Sequence, residues 1–280
     1  MNINSPKLII PVIQAALVSI LFLGSYAFAE NRIPVPAGVF YHRFAARANV
    51  ASAVWTNPAA LGNGQTSNLQ LIYDYRDGEF KRDWGFSLSG NRMGYAYRKI
   101  DQSSFGLADS VDYTEHTFAL GIARDPKLSM GVSYRYVKNG PELFRKRHSW
   151  NLSALYSQSR KVTIGAVIAN LNRSKLNGEK SDFEQTYSIS VKPILKKILY
   201  INAEMSLSNL QNLRQAVYRL GFDYSPQPSW SLFGMWSDSR EIQIGLRWNS
   251  ERSYAGVQGR YGDFSNLTSV GSYVGMEGSR

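Results

Sequence analysis

The chain has 280 residues, 32 Lys and Arg against 21 Asp and Glu, a net charge of +11, no cysteine and three histidines. Without cysteine there is neither a disulfide framework nor a lipid-modified Cys behind a leader. The basic residues are dispersed through the chain, with no basic helix and no aromatic RNA-binding motif, so the charge does not describe a nucleic-acid-binding protein.

Residues 1–29 read as a signal peptide. Lys7 begins a short basic region, Leu8 to Leu23 is mostly apolar, and Ala27-Phe28-Ala29 before Glu30 has the small-x-small form of a cleavage site. The apolar run contains Pro11 and Gln14, which disfavours its retention as a membrane helix. Nothing downstream is apolar enough over a sufficient length to span as a helix, and mean hydropathy is −0.28.

Residues 30–67 lack strand alternation and are too long for a simple linker. Ala45 to Val54 is small and helix-compatible, and Thr56 to Gly62 reads as a turn starting a short helix at Pro58, with Asn57 as its cap. This segment is expected to fold back as a plug or hatch; a loose periplasmic tail is the rival reading.

From residue 68 to residue 280 short segments alternate apolar or aromatic residues with Gly, Ser, Asn, Gln and Arg. In Glu241 to Asn249, Ile242, Ile244, Leu246 and Trp248 share one face, opposite Gln243, Gly245, Arg247 and Asn249. Period two means strand. Strands are predicted near 68–76, 84–89, 92–99, 113–123, 128–137, 149–157, 162–170, 185–192, 198–207, 215–224, 230–237, 241–249, 254–262 and 267–276. Large aromatics mark the strand ends, among them Trp84, Tyr97, Tyr136, Trp150, Trp230, Trp236 and Trp248. Rings at membrane-water boundaries do this, and a soluble sandwich or barrel is the competing all-β reading.

The connections alternate in length through most of the chain, the exceptions being 237–240 and 263–266, where the expected outer loops are also short. Short turns at 89–91, 124–127, 157–161, 193–197, 225–229 and 250–253 separate longer links at 101–111, 138–148, 171–183 and 208–214, as periplasmic turns and outward loops do. The expectation is an all-β fold: a transmembrane antiparallel β-barrel of about 14 strands with an N-terminal hatch, in a bacterial outer membrane.

Six arginines fall on the predicted inner face: Arg92, Arg98, Arg135, Arg219, Arg247 and Arg260, with Asp74, Glu204 and Asp223 as the chief acidic counterparts. Arg92, Arg135, Arg219 and Arg247 are candidates to anchor the hatch or meet the anionic end of a ligand; a structural ladder of charge pairs is the alternative. Arg145, Lys146 and Arg147 form the densest basic run, on a predicted outer loop where lipopolysaccharide phosphates would lie.

His42, His116 and His148 have no neighbouring Cys, His or Asp at ligand spacing, so no metal is assigned. His148 and Ser149 are adjacent on a strand and point apart, which makes a poor nucleophile-base pair. No phosphate-binding loop or dinucleotide fingerprint is present. No catalytic residue, cofactor or enzyme activity is assigned.

The stretch AARANVASAVWTNPAALG at 45–62, behind a leader and before the strands, resembles the N-terminal segment of outer-membrane FadL-type transporters and of the related PorV and UPF0164 group. Asn57, Pro58 and Ala59 match their Asn-Pro-Ala element. The FadL resemblance implies passive uptake of small hydrophobic or amphipathic compounds through a monomeric barrel. The PorV resemblance implies a non-transporting scaffold for a secretion or envelope-assembly partner, with Phe105, Leu143 and Phe144 on its outer loops.

Overall fold

The computed structural model describes residues 44–48, 50–64, 66–76, 79–100, 113–139, 147–159, 161–173, 175–176, 179–180, 183–193, 199–208, 211–262 and 266–278. The leader, residues 30–43 of the hatch, and Phe105, Leu143, Phe144, Arg145 and Lys146 lie outside them.

A short 3-10 turn, η1 (Ala45–Arg47), a helix, α1 (Val50–Thr56), and a second 3-10 helix, η2 (Pro58–Asn63), precede the strands. These are β1 (Asn68–Arg76), β2 (Glu79–Gly90), β3 (Met93–Ile100), β4 (Tyr113–Ala123), β5 (Leu128–Asn139), β6 (His148–Ser159) and β7 (Val162–Ala169). A small hairpin follows, β8 (Lys175–Leu176) and β9 (Glu179–Lys180), then β10 (Glu184–Val191), β11 (Leu199–Ser208) and a 3-10 turn, η3 (Leu213–Gln215). The chain ends in β12 (Val217–Gln227), β13 (Trp230–Ser237), β14 (Ile242–Asn249), β15 (Ser253–Gly262) and β16 (Asn266–Glu277).

Fourteen of these strands close into one antiparallel barrel; β8 and β9 pair only with each other. The seam is β1 against β16, with Asn68 opposite Glu277 and Ile72 opposite Tyr273. Full closure removes the unpaired edges that neither lipid nor water-soluble packing tolerates well.

The period-two pattern sets which way each strand faces. Ile122 is 66% exposed, Met130 60% and Met276 59%, on the same strands as fully buried Glu115 and Ser129 and buried Tyr273. The apolar side faces out and the polar side faces in, opposite to a soluble barrel. Exposure of large apolar side chains around a closed sheet is what a hydrocarbon surround requires.

Turn chemistry fixes the register at the short-connection end. Gly90 pairs with Met93, leaving Asn91 and Arg92 as a two-residue loop with φ of 48° and 69°. Two positive φ values match the right-handed twist of the flanking strands. At 124–127, Asp125 Oδ1 accepts the amides of Lys127 at 2.7 Å and Leu128 at 2.9 Å, a side-chain-built turn.

The apolar core lies inside the barrel, between the N-terminal segment and the wall. Ala53, Val54, Ala59, Ala60 and Leu61 pack on Ala96, Ala119 and Leu155, apolar positions of a largely polar inner face. Burying Leu61 and Val54, each 1% exposed, favours this seating by roughly 1.5–3 kcal/mol per side chain.

Candidate functional site

Asn57 is the hub of the N-terminal segment. Its Oδ1 accepts the Ala59 amide at 3.1 Å, which caps η2, and Pro58 at the first helical position has no amide to satisfy. Its Nδ2 donates to the carbonyls of Ala45 at 3.0 Å and Ala154 at 3.3 Å. One fully buried amide therefore joins η2, η1 and the β6 wall. The Ala59 amide also donates to Ser153 Oγ at 2.9 Å.

The wall accepts the segment where it has no side chains. A Cβ built on Gly121 would lie 2.7 Å from the Pro58 carbonyl oxygen, and one on Gly165 would lie 2.7 Å from the Ala45 carbonyl carbon. At Gly131 the same construction strikes the Ala59 amide. In the other direction, a Cβ on Gly62 would meet the Ile122 carbonyl carbon at 2.7 Å. Backbone thus lies on backbone along β4, β5 and β7, an approach that only glycine permits.

Charge holds the opposite flank. The Ala45 amide donates to Glu204 Oε2 at 2.9 Å, while Arg219 Nη1 donates to Glu204 Oε1 at 3.3 Å and to Ser206 Oγ at 3.0 Å. Arg47 Nε lies 3.5 Å from Asp223 Oδ2, with its guanidinium 3.7 Å over the Tyr200 ring. Asn202 Nδ2 donates to the same Asp223 oxygen at 3.1 Å.

A second charge cluster sits toward the long-connection end. Glu115, fully buried, accepts Arg98 Nη2 at 2.7 Å and the Tyr113 hydroxyl at 2.6 Å, and Arg135 Nε lies 3.4 Å from its other oxygen. Arg135 keeps a quarter of its side chain exposed.

Across the lumen, Ile72, Tyr254 and Tyr273 form an apolar cluster on which Trp55 of α1 and Phe233 pack. Tyr254 donates to Asn68 Oδ1 at 3.0 Å beside the barrel seam, and the Arg247 guanidinium lies 4.6 Å over the Tyr254 ring. Tyr273, the aromatic nearest the C-terminus, faces inward.

The four candidate arginines do not converge. Arg219 joins the Glu204 cluster, Arg135 the Glu115 cluster and Arg247 the Tyr254 ring. Arg92 is corrected: it is exposed at the second position of the β2–β3 turn, outside the lumen, because the two-residue loop consumes the residue that strict alternation assigned to the inner face. Arg147 is half-buried and its carbonyl accepts the Val137 amide at 2.8 Å.

Two participants were not anticipated. Glu115 was legible, since Phe118, Leu120 and Ile122 face out and so place Glu115 and Thr117 inside. Arg47 carried no sequence signal, because its partner Asp223 is reached only through the folding back of the segment. His116 faces outward with its Nδ1 2.8 Å from the Tyr95 hydroxyl, and exposed His148 lies on the opposite face from buried Ser149. Among the described residues no group of three or more His, Cys, Asp or Glu could hold a metal.

No family model matches the sequence, and no curated protein matches it. Among solved structures the chain is similar to the CymD monoaromatic hydrocarbon channel, with TM-score 0.51 and 11% identity over 84% of this chain and 94% of that one. It is also similar to a TodX monoaromatic hydrocarbon channel mutant, with TM-score 0.50 and 10% identity over 81% and 94%. The KdgM porin matches at TM-score 0.40 and 10% identity over 75% and 98%. The chain shares the fold of these channel barrels and is itself a closed antiparallel barrel of 14 strands.

Proposed function

We propose that this chain is a passive outer-membrane channel whose N-terminal segment is its gate, and that it admits small amphipathic compounds bearing an acidic group. One observation carries the reading: residues 44–48 and 50–64 lie against the inner wall through glycine contacts, the Asn57 hub and a charge latch at Glu204 and Asp223. A segment held by few polar contacts over a smooth wall can leave and return without unfolding the barrel. The Asn57-Pro58-Ala59 cap geometry supports a FadL-type relationship.

The inner wall favours an amphipathic ligand over a pure hydrocarbon. Gln70, Asp83, Ser87, Ser129, Asn202 and Gln243 all face inward and are fully buried, so the wall behind the segment is polar, and a pure hydrocarbon gains no polar contact along it. Arg135, partly open beside Glu115, supplies a charge-assisted contact for a carboxylate.

The tight burial of that polar layer also favours a second reading, a permanently sealed barrel acting as a scaffold. The native chain has no cysteine, so a disulfide can be placed cleanly. Ala59→Cys with Ser153→Cys, whose residues are joined by a 2.9 Å hydrogen bond, tethers the segment to the wall. In proteoliposomes the gated channel passes a small amphipathic carboxylate when the pair is reduced and not when it is oxidised. Equal exclusion in both states supports the scaffold.

A further inference from the structure

The turns at the short-connection end are not alike around the ring. Three neighbouring hairpins carry cations there: Arg92 between β2 and β3, Arg124 and Lys127 between β4 and β5, and Lys161 between β6 and β7, all exposed. Among the described residues of these turns the single acidic side chain is Asp125, whose Oδ1 accepts the amides of Lys127 and Leu128. The bordering residues outside the described set, 160 and 194–198, contain Arg160, Lys196 and Lys197 and no acid. Residues 30–43 add Arg32 and Arg43 against Glu30 alone.

The other half of the same rim has a different character. The β12–β13 connection, Pro228-Ser229, has no charge, and the β14–β15 connection sets Glu251 beside Arg252. Glu277 completes the ring next to β1, where its Oε1 accepts Asn68 Nδ2 at 3.5 Å. On that half the boundary is marked by Trp230 and Trp248, which are cross-strand partners, as interfacial rings commonly mark it. On the basic half the exposed lipid-facing side chains nearest the turns of β3, β4 and β5 are Met93, Ile122 and Met130. Arg92 directly precedes Met93, and Arg124 follows Ile122 by two residues. At roughly 3.3 Å per residue these cations emerge within about 7 Å of the hydrocarbon boundary.

We infer that this arc is a binding site for anionic phospholipid of the leaflet at the short-connection end, the periplasmic one in an outer-membrane barrel, and that it holds a lipid with two phosphodiester groups more tightly than a lipid with one. Height selects lipid over a soluble partner, since the cations stand at the level of headgroup phosphates and directly beside side chains that face acyl chains. Charge selects phosphate without a compensating amine, because a zwitterionic headgroup brings its own cation to the same place. Spacing selects two phosphates: consecutive turns lie two strands apart, roughly 10 Å, so cations of adjacent turns can each take one phosphate of the same lipid.

The inference rests on the outer-membrane reading above but measures lipid retention and not permeation, so its failure leaves the gate to the flux experiment. The purified full chain is mixed in mild detergent with phosphatidylethanolamine, phosphatidylglycerol or diphosphatidylglycerol, and bound lipid is counted by native mass spectrometry. Retention is expected to be greatest for diphosphatidylglycerol and least for phosphatidylethanolamine. Arg124→Gln and Lys161→Gln each lower the apparent affinity for diphosphatidylglycerol about fivefold. The pair Lys138→Gln and Arg214→Gln, which removes two exposed cations at the long-connection end, leaves it unchanged. Heat-modifiable migration confirms that each variant is folded. Equal retention of the three lipids, or equal loss in the two variant pairs, overturns the site, and equal retention of the two anionic lipids overturns the assignment of two phosphates. Binding of soluble polyglutamate in place of lipid, abolished by the Arg124→Gln/Lys161→Gln pair, overturns it in favour of an acidic protein.

Discussion

The amide of Ala45 and the carboxylate of Glu204 meet at 2.9 Å across 159 residues of sequence. That contact ties the entry of the N-terminal segment to the middle of β11, and the same carboxylate holds Arg219. Glu204→Gln keeps an acceptor for Ala45 but removes the charge that balances Arg219. Removing one partner of a buried pair can cost 3–5 kcal/mol; Arg219 is one-fifth exposed, so about 2 kcal/mol is expected. Limited proteolysis within residues 44–64 should accelerate roughly 30-fold. An unchanged cleavage rate would remove Glu204 from the latch.

Asn57 acts through both ends of its amide, which separates two substitutions that a simple cap would not. Asn57→Ala loses the cap, worth about 1 kcal/mol, and leaves the carbonyls of Ala45 and Ala154 unpaired. Asn57→Asp retains the cap acceptor but sets a carboxylate against two buried carbonyl oxygens, and should loosen the segment further than Ala does. Exchange protection of the Ala59 and Ala60 amides measures the order. Protection retained in Asn57→Asp would show that Nδ2 is dispensable.

The glycine lining predicts a displacement without barrel unfolding. Gly131→Val puts a branched side chain where the Ala59 backbone lies, and the segment, not the hydrogen-bonded wall, is the softer partner. The variant should migrate as a folded barrel while residues 44–64 become protease-sensitive. Loss of the folded band would place the strain in the wall.

At the 124–127 turn the two amides that Asp125 accepts hold its carboxyl below the usual carboxylate range. A depressed folded-state pKa stabilises the turn above the unfolded value, near 3.9, and that contribution is lost as pH falls through the folded value. Protection of the Lys127 and Leu128 amides relative to Asp125→Ala should be present at pH 6 and vanish in strong acid. A ratio independent of pH would exclude the side chain.

Much of the fold was legible because each strand carries its own facing. Ile242, Ile244, Leu246 and Trp248 needed no partner to declare a lipid side, and even strand number follows from counting such runs. Strand ends were less legible: β2 begins at Glu79 and β12 continues to Gln227, beyond the alternation, because backbone pairing at a barrel rim does not require apolar side chains. The cap at Asn57 was readable from local chemistry. The arginine clusters were not, since alternation assigns a face but not a height or a neighbour, and it failed at Arg92 where a tight turn interrupts the period.

The most direct test of the gate is single-channel conductance of residues 30–280 against residues 65–280, both verified as folded barrels. The account predicts a mostly closed full-length channel with brief openings and a sustained, larger conductance after deletion. The same low conductance in both would contradict it and leave a barrel that the N-terminal segment does not close.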